Sequence, residues 1–146
     1  MSATGDRGQG AGQAGFTLIE CLAVLSITAL AGAIAFPGLE RAVSGAWLAE
    51  SKQALAADLR QARGRALASG QYQALTVSAD GGAWGWNGRA DHRLPLALRV
   101  SADASGSPAF YPDGSAAPGV VILSAGARRT AVGVSNIGVV SLSVAR

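Results

Sequence analysis

From Phe16 to Phe36 the chain runs through 21 residues in which Glu20 is the only formal charge. At about 1.5 Å of rise per residue, such a run spans roughly the 30 Å of a bilayer core, so it reads as a membrane helix. An unpaired carboxylate inside that helix costs several kcal/mol and marks a functional position. Glu20 must find a partner, and that need points towards what the chain does.

About 110 residues follow the run, enough for one domain with a modest core. The net charge of +3 comes from eleven arginines and one lysine against nine carboxylates, and the pI near 9.8 rests on these few arginines. This is no strong polyanion signal. The single cysteine, Cys21, lies inside the apolar run and leaves no intrachain disulfide to form.

Met1 to Gly15 is rich in Gly, Ala and Gln, without apolar periodicity, and reads as a disordered or removable leader. Gly10-Ala11-Gly12-Gln13-Ala14-Gly15 matches the dinucleotide fingerprint G-x-G-x-x-G. That motif works only after a strand, where it aims a phosphate at a helix N-terminus, and here nine polar residues precede it. A secretory signal fits poorly as well. The run exceeds the roughly 7–15 residues of such a core, and Ala35-Phe36-Pro37 is a poor cleavage site. Asp6 and Arg7 on one side and Glu40 and Arg41 on the other leave orientation undetermined by flanking charge.

Gly15-Phe16-Thr17-Leu18-Ile19-Glu20, followed by an apolar stretch ending at Pro37, resembles the class III signal of type IV pilins and type II secretion pseudopilins. The resemblance implies that a prepilin peptidase cuts between Gly15 and Phe16 and methylates the new N-terminus at Phe16. It also implies that Glu20 serves assembly and that Pro37 kinks the helix. Gln13-Ala14 departs from the basic residues usual just before the glycine. Physically, Glu20 is relieved by snorkelling, by protonation or by pairing. The amine freed at Phe16 lies about one turn away, and a neighbouring subunit's amine can meet the carboxylate in low dielectric.

Beyond Pro37-Gly38, Leu48, Leu55, Leu59, Ala62 and Ala66 recur at helical spacing, with Glu50, Lys52, Asp58, Arg60, Arg63 and Arg65 between them. Helix is expected to resume near Leu39 and run to Ser69, capped by Gly70, with the apolar stripe packed on a sheet. Arg60, Arg63 and Arg65 read as a solvated face before a phosphate-binding one. Trp47 is placed over the junction between helix and domain.

Strands are expected at Tyr72–Ser78, Ala83–Asn87, Leu96–Val100, Val120–Leu123, Thr130–Ser135 and Val139–Val144. Asp80-Gly81-Gly82 is a hairpin signal, Ser101 to Ser107 a polar loop, and Tyr111-Pro112-Asp113-Gly114 a turn. One long helix followed only by strands makes an α+β fold with the helix packed on an antiparallel sheet.

Phe110-Tyr111-Pro112-Asp113-Gly114 and Val134-Ser135-Asn136-Ile137-Gly138 resemble one branch of the family, the minor pseudopilin GspH and its type IV pilus relative FimT. DNA-binding relatives carry Gly-Arg-x-Arg near the C-terminus, whereas here Gly138 is followed by Val139-Val140-Ser141. Arg128 and Arg129 are the candidates for a weak DNA contact; adjacent residues of a strand face opposite ways, whereas a loop there could present both. The resemblance therefore implies a secretion pseudopilin, with a DNA-uptake minor pilin as the alternative and nucleic acid not expected as a partner.

It further implies a leader at 1–15, a transmembrane and assembly helix at 16–38 and a periplasmic pilin-like domain at 39–146, held by a single pass in the bacterial inner membrane. The implied partners are other major and minor pseudopilins, the prepilin peptidase, the inner membrane and secreted cargo. No catalysis, cofactor or metal is expected. His92 is the lone histidine, flanked by Asp91 and Arg93 in an expected loop, and no nucleophile elbow or metal-ligand spacing occurs.

Overall fold

The computed structural model describes residues 17–143. Gly15, Phe16 and Val144, the end of the last expected strand, lie outside them. The chain divides into two compact units, Met1–Gly38 and Leu39–Arg146.

Helix α1 spans Leu18–Ser69 and contains Pro37. The expected restart near Leu39 is corrected: the helix continues through Pro37-Gly38. Proline leaves the carbonyl four residues back, on Ala33, without its donor, but helical bonding on both sides tolerates one missing link. At the other end the Gly70 N–H closes on the Ala66 carbonyl at 3.0 Å with φ of 65°, the left-handed residue that ends the helix.

In the second unit Leu48, Leu55, Leu59, Ala62 and Ala66 are all buried, joined by Ser51 and Ala56. The apolar stripe therefore faces a core, with Glu50, Arg60 and Arg65 exposed and Lys52, Asp58 and Arg63 half-buried at its margins. Nine strands follow: β1 (Gln73–Val77), β2 (Ala83–Trp86), β3 (Arg89–Arg93), β4 (Arg99–Ala102), β5 (Ala109–Phe110), β6 (Ala116–Ala117), β7 (Gly119–Ala125), β8 (Arg128–Val134) and β9 (Val140–Ser143). They form two antiparallel sheets, ordered β3-β2-β1-β5-β6 and β4-β7-β8-β9. One core joins the helix to both: Leu55 and Leu59 meet Leu75, Trp84 and Phe110 from the first sheet and Val121, Leu123 and Val132 from the second. Along β7 burial alternates residue by residue, as a strand with one face on a core requires.

Three expectations need correcting. His92 sits in strand β3, not a loop, paired with Trp84. This edge strand, Arg89-Ala90-Asp91-His92-Arg93, is mostly exposed, and its charges blunt an open edge at the cost of the alternation that reveals strands. Ser101 and Ala102 belong to β4, whose pairing with β7 starts at Arg99, while Leu96 lies before the strand and is exposed. The expected packing of the helix on antiparallel β structure is met by two sheets, and the short β5 and β6, which flank the 111–114 turn, extend the first. That turn closes by the Gly114 N–H on the Tyr111 carbonyl at 3.0 Å, and the hairpin at 80–82 by Gly81 N–H on the Ser78 carbonyl at 2.9 Å.

Candidate functional site

In the first unit Thr17 caps α1. The Glu20 N–H donates to Thr17 Oγ1 at 3.3 Å and to its carbonyl at 3.1 Å, which is the threonine half of the Thr-x-x-Glu capping-box pattern. Glu20 is thus in the first helical turn, where the partial positive charge of the helix N-terminus favours a carboxylate. The sequence pattern could have revealed this second, local role.

From Leu18 to Phe36 every large apolar side chain is exposed, including Leu22, Leu25, Ile27, Leu30 and Ile34. The helix is long and apolar enough to cross a membrane, and none of its apolar stretch is buried. Its hydroxyls are satisfied internally: Ser26 Oγ donates to the Leu22 carbonyl at 2.7 Å and Thr28 Oγ1 to the Val24 carbonyl at 2.8 Å. Such a helix offers lipid or another helix an apolar surface without orphaned donors. Cys21 is free and exposed beside Glu20.

In the second unit Arg63 binds the two loop motifs to the helix. Its Nε donates to the Gly114 carbonyl at 3.4 Å and its Nη2 to the Ile137 carbonyl at 3.2 Å. The Ala116 N–H donates to the Asn136 carbonyl at 2.9 Å, so Phe110–Gly114 and Val134–Gly138 are brought side by side. Arg63 is therefore a structural clamp, which the reading of a solvated arginine face did not foresee.

Asp58 anchors the other sheet edge. Its Oδ2 accepts from Trp84 Nε1 at 2.9 Å and lies 3.6 Å from His92 Nδ1, while the His92 ring stacks on Trp84 at 4.1 Å. Gln61, Arg65, Trp86, Arg89 and Asp91 line the same open cleft, which contains no hydroxyl or thiol nucleophile. Among the described residues no group of three or more His, Cys, Asp or Glu could hold a metal ion.

Residues 10–36 match the prokaryotic N-terminal methylation motif. Type II secretion system protein H of Xanthomonas campestris pv. campestris is 31% identical over 119 residues, covering 75% of this chain and 70% of that protein. This chain belongs to the type II secretion protein H family. The fold of this chain also matches solved structures. The minor pseudopilin EpsH of the type 2 secretion system of Vibrio cholerae superposes with a TM-score of 0.52 at 15% identity, over 64% of this chain and 94% of that one. The type IV minor pilin FimU of Pseudomonas aeruginosa PAO1 gives 0.51 at 15% identity, over 64% and 90%. The fold is pilin-like α+β.

Within this protein H fold, Arg128 and Arg129 open strand β8, both exposed. Arg128 Nη1 donates to the Arg41 carbonyl on α1 at 2.9 Å, which holds that guanidinium against the helix. Gly138 has φ of 74° and turns the chain into β9, with Val139 and Ser141 where the DNA-binding relatives' motif would place arginines.

Proposed function

We propose that this chain is a minor pseudopilin, a structural subunit of the type II secretion pseudopilus that helps export folded proteins across the outer membrane. The observation that carries the proposal is the membrane-length apolar helix with no cover from its own chain, in a member of the protein H family. A prepilin peptidase cuts between Gly15 and Phe16 and methylates Phe16. The helix of residues 16–38 then holds the chain in the inner membrane by a single pass, and residues 39–146 lie in the periplasm. Pro37 gives the helix a weak link at which to kink. Glu20 pairs with the amine of a neighbouring pseudopilin, which offsets the cost of a carboxylate among apolar helices. Other pseudopilins are the principal partners, and exposed loops of the periplasmic domain are available to cargo. The role is structural, without catalysis or cofactor.

The second reading is a minor pilin of the FimT type that takes up DNA, favoured by the shared fold with FimU. Against it stand the bond from Arg128 to the Arg41 carbonyl and the missing arginines after Gly138. Mass spectrometry of membrane-extracted protein tests the first reading: the chain should begin at methyl-Phe16, and Gly15→Ala should block maturation. An intact Met1–Gly15 in a host with active prepilin peptidase would remove it.

A further inference from the structure

Two surface features of the second unit meet where α1 enters it. Leu39, Val43 and Trp47 recur every four residues on one face of the helix and stay 62%, 36% and 41% exposed. With Ala97, Ala125 and Gly126 they line an apolar groove of about 620 Å³, rimmed by Glu40, Arg41 and Ser44. The adjoining cleft is lined by Lys52, Arg128, Arg129, Gly45, Leu48, Ala49 and Thr130, with no carboxylate among them. The tip of the β7–β8 hairpin joins the two, because Ala125 and Gly126 line the groove while Arg128 lines the cleft and bonds to the Arg41 carbonyl. One cation, Arg41, thus lines an exposed aromatic groove that holds one carboxylate, Glu40, and three more, Lys52, Arg128 and Arg129, line the cleft that adjoins it.

An apolar groove with a tryptophan beside clustered cations is the chemistry of a bilayer interface. Tryptophan settles at headgroup level, and Arg and Lys bring acidic headgroups to a surface. The chain position agrees. Arg41 lies five residues beyond Phe36, so even a fully extended backbone leaves it within about 18 Å of the end of the apolar run. A helical one leaves it within about 8 Å, the depth of a headgroup layer. We propose that this corner of the C-terminal unit binds an acidic phospholipid of the bilayer that the apolar helix enters. The phosphate sits on Arg41 and Arg128, Lys52 and Arg129 add attraction, and the upper acyl chain lies against Leu39, Val43 and Trp47. The inference rests on the membrane-anchored part of the proposed function and not on secretion itself. It gives the subunit a docked resting state before assembly, in which the groove is covered by lipid.

The test uses the full chain in nanodiscs of phosphatidylcholine, with or without phosphatidylglycerol, carrying brominated acyl chains that quench nearby tryptophan. Trp84 is fully buried and Trp86 partly so, which makes Trp47 the reporter and Trp47→Phe the background. Quenching should rise when phosphatidylglycerol is present and fall with added salt, which screens the cations. Arg128→Gln should remove the phosphatidylglycerol-dependent part. Arg129→Gln combined with Lys52→Gln should reduce it without touching the bond to Arg41, so a folding defect at Arg128 leaves the test intact. Equal quenching in both kinds of disc would overturn the proposal. So would Trp47 shielding that appears only with two chains per disc, which would assign the groove to a second copy. An oligonucleotide bound through the same arginines in discs that show no quenching would assign the cations to nucleic acid. A chain that fails to enter the discs would sink the anchor and this proposal together, whereas one that enters without lipid-dependent quenching sinks this proposal alone.

Discussion

Arg63 on α1 and Gly138 in the turn before β9 are in direct contact: a Cβ built on Gly138 would fall 2.6 Å from Arg63 Nε and 2.9 Å from the Gly114 carbonyl oxygen. Gly138 also has φ of 74°, a conformation that L side chains rarely adopt. Backbone strain and crowding therefore act together on any substitution there. Gly138→Ala should cost about 1–3 kcal/mol, mostly from the strained backbone. Arg63→Lys should also destabilise, since one ammonium cannot reproduce a planar fork that reaches two carbonyls. Urea denaturation of a fragment spanning residues 39–146 measures both, and a Gly138→Ala midpoint equal to wild type would refute the contact.

The same clamp shows how far the sequence could be read. The stripe Leu48, Leu55, Leu59, Ala62, Ala66 is legible because helical periodicity survives any tertiary context that buries one face. Gly70 as the cap, the Asp80-Gly81-Gly82 hairpin and the 111–114 turn are legible because their chemistry is local. Strand β3 is not legible by alternation, since an exposed edge strand of charged residues has no apolar face to repeat. Its real signal is Asn87-Gly88, which makes the two-residue turn from β2 with φ of 53° and 86°, as a type I′ hairpin demands. Asp58, Arg63 and Arg128 are opaque for another reason. Their partners lie 26, 51 and 87 residues away, and no spacing rule reaches that far. The apolar run is legible because membrane length and apolarity are read from composition alone, and the family signal is legible because Gly15, Phe16, Glu20 and Pro37 are close in sequence.

Asp58 should matter through Trp84. Asp58→Ala leaves the buried indole N–H without its acceptor, which costs about 1–3 kcal/mol. Asp58→Asn keeps an oxygen in reach and should lose less, and His92→Ala, which leaves the Trp84 bond intact, should lose least. Denaturation midpoints of the three variants give the order. A His92→Ala loss equal to that of Asp58→Ala would mean that the ring stack, not the hydrogen bond, anchors the sheet edge.

Asp113 gives a pH dependence of defined sign. Its Oδ1 accepts from Ser115 Oγ at 2.6 Å and from the Ser115 N–H at 2.9 Å, and these bonds hold the carboxyl below the usual 3.8. A depressed folded pKa means a stabilisation present above the unfolded pKa and lost as pH falls through the folded one. The loop that Arg63 grips should thus loosen only in acid below pH 3.8. Ser115→Ala, which removes the hydroxyl bond but keeps the amide, should raise the Asp113 midpoint in a carboxyl-carbon NMR titration. An unchanged midpoint would show that the hydroxyl does not set it.

Glu20 has two candidate duties, and one pair of substitutions separates them. It stands three residues after Thr17, at the spacing of a capping box, where a glutamine side chain could serve as well as a glutamate. If its duty is to pair charge with a neighbouring subunit's amine, glutamine is no substitute, because the pairing needs a carboxylate. Glu20→Ala and Glu20→Gln should then both insert into the membrane as well as wild type or better, since each removes a charge from the apolar phase. Both should fail to join partner pseudopilins. Membrane fractionation measures the first property, and co-purification with those partners, together with secretion, measures the second. Full assembly of Glu20→Gln with failure of Glu20→Ala would assign Glu20 to the helix cap. Full assembly of both would leave it a carboxylate that simply reaches the membrane surface.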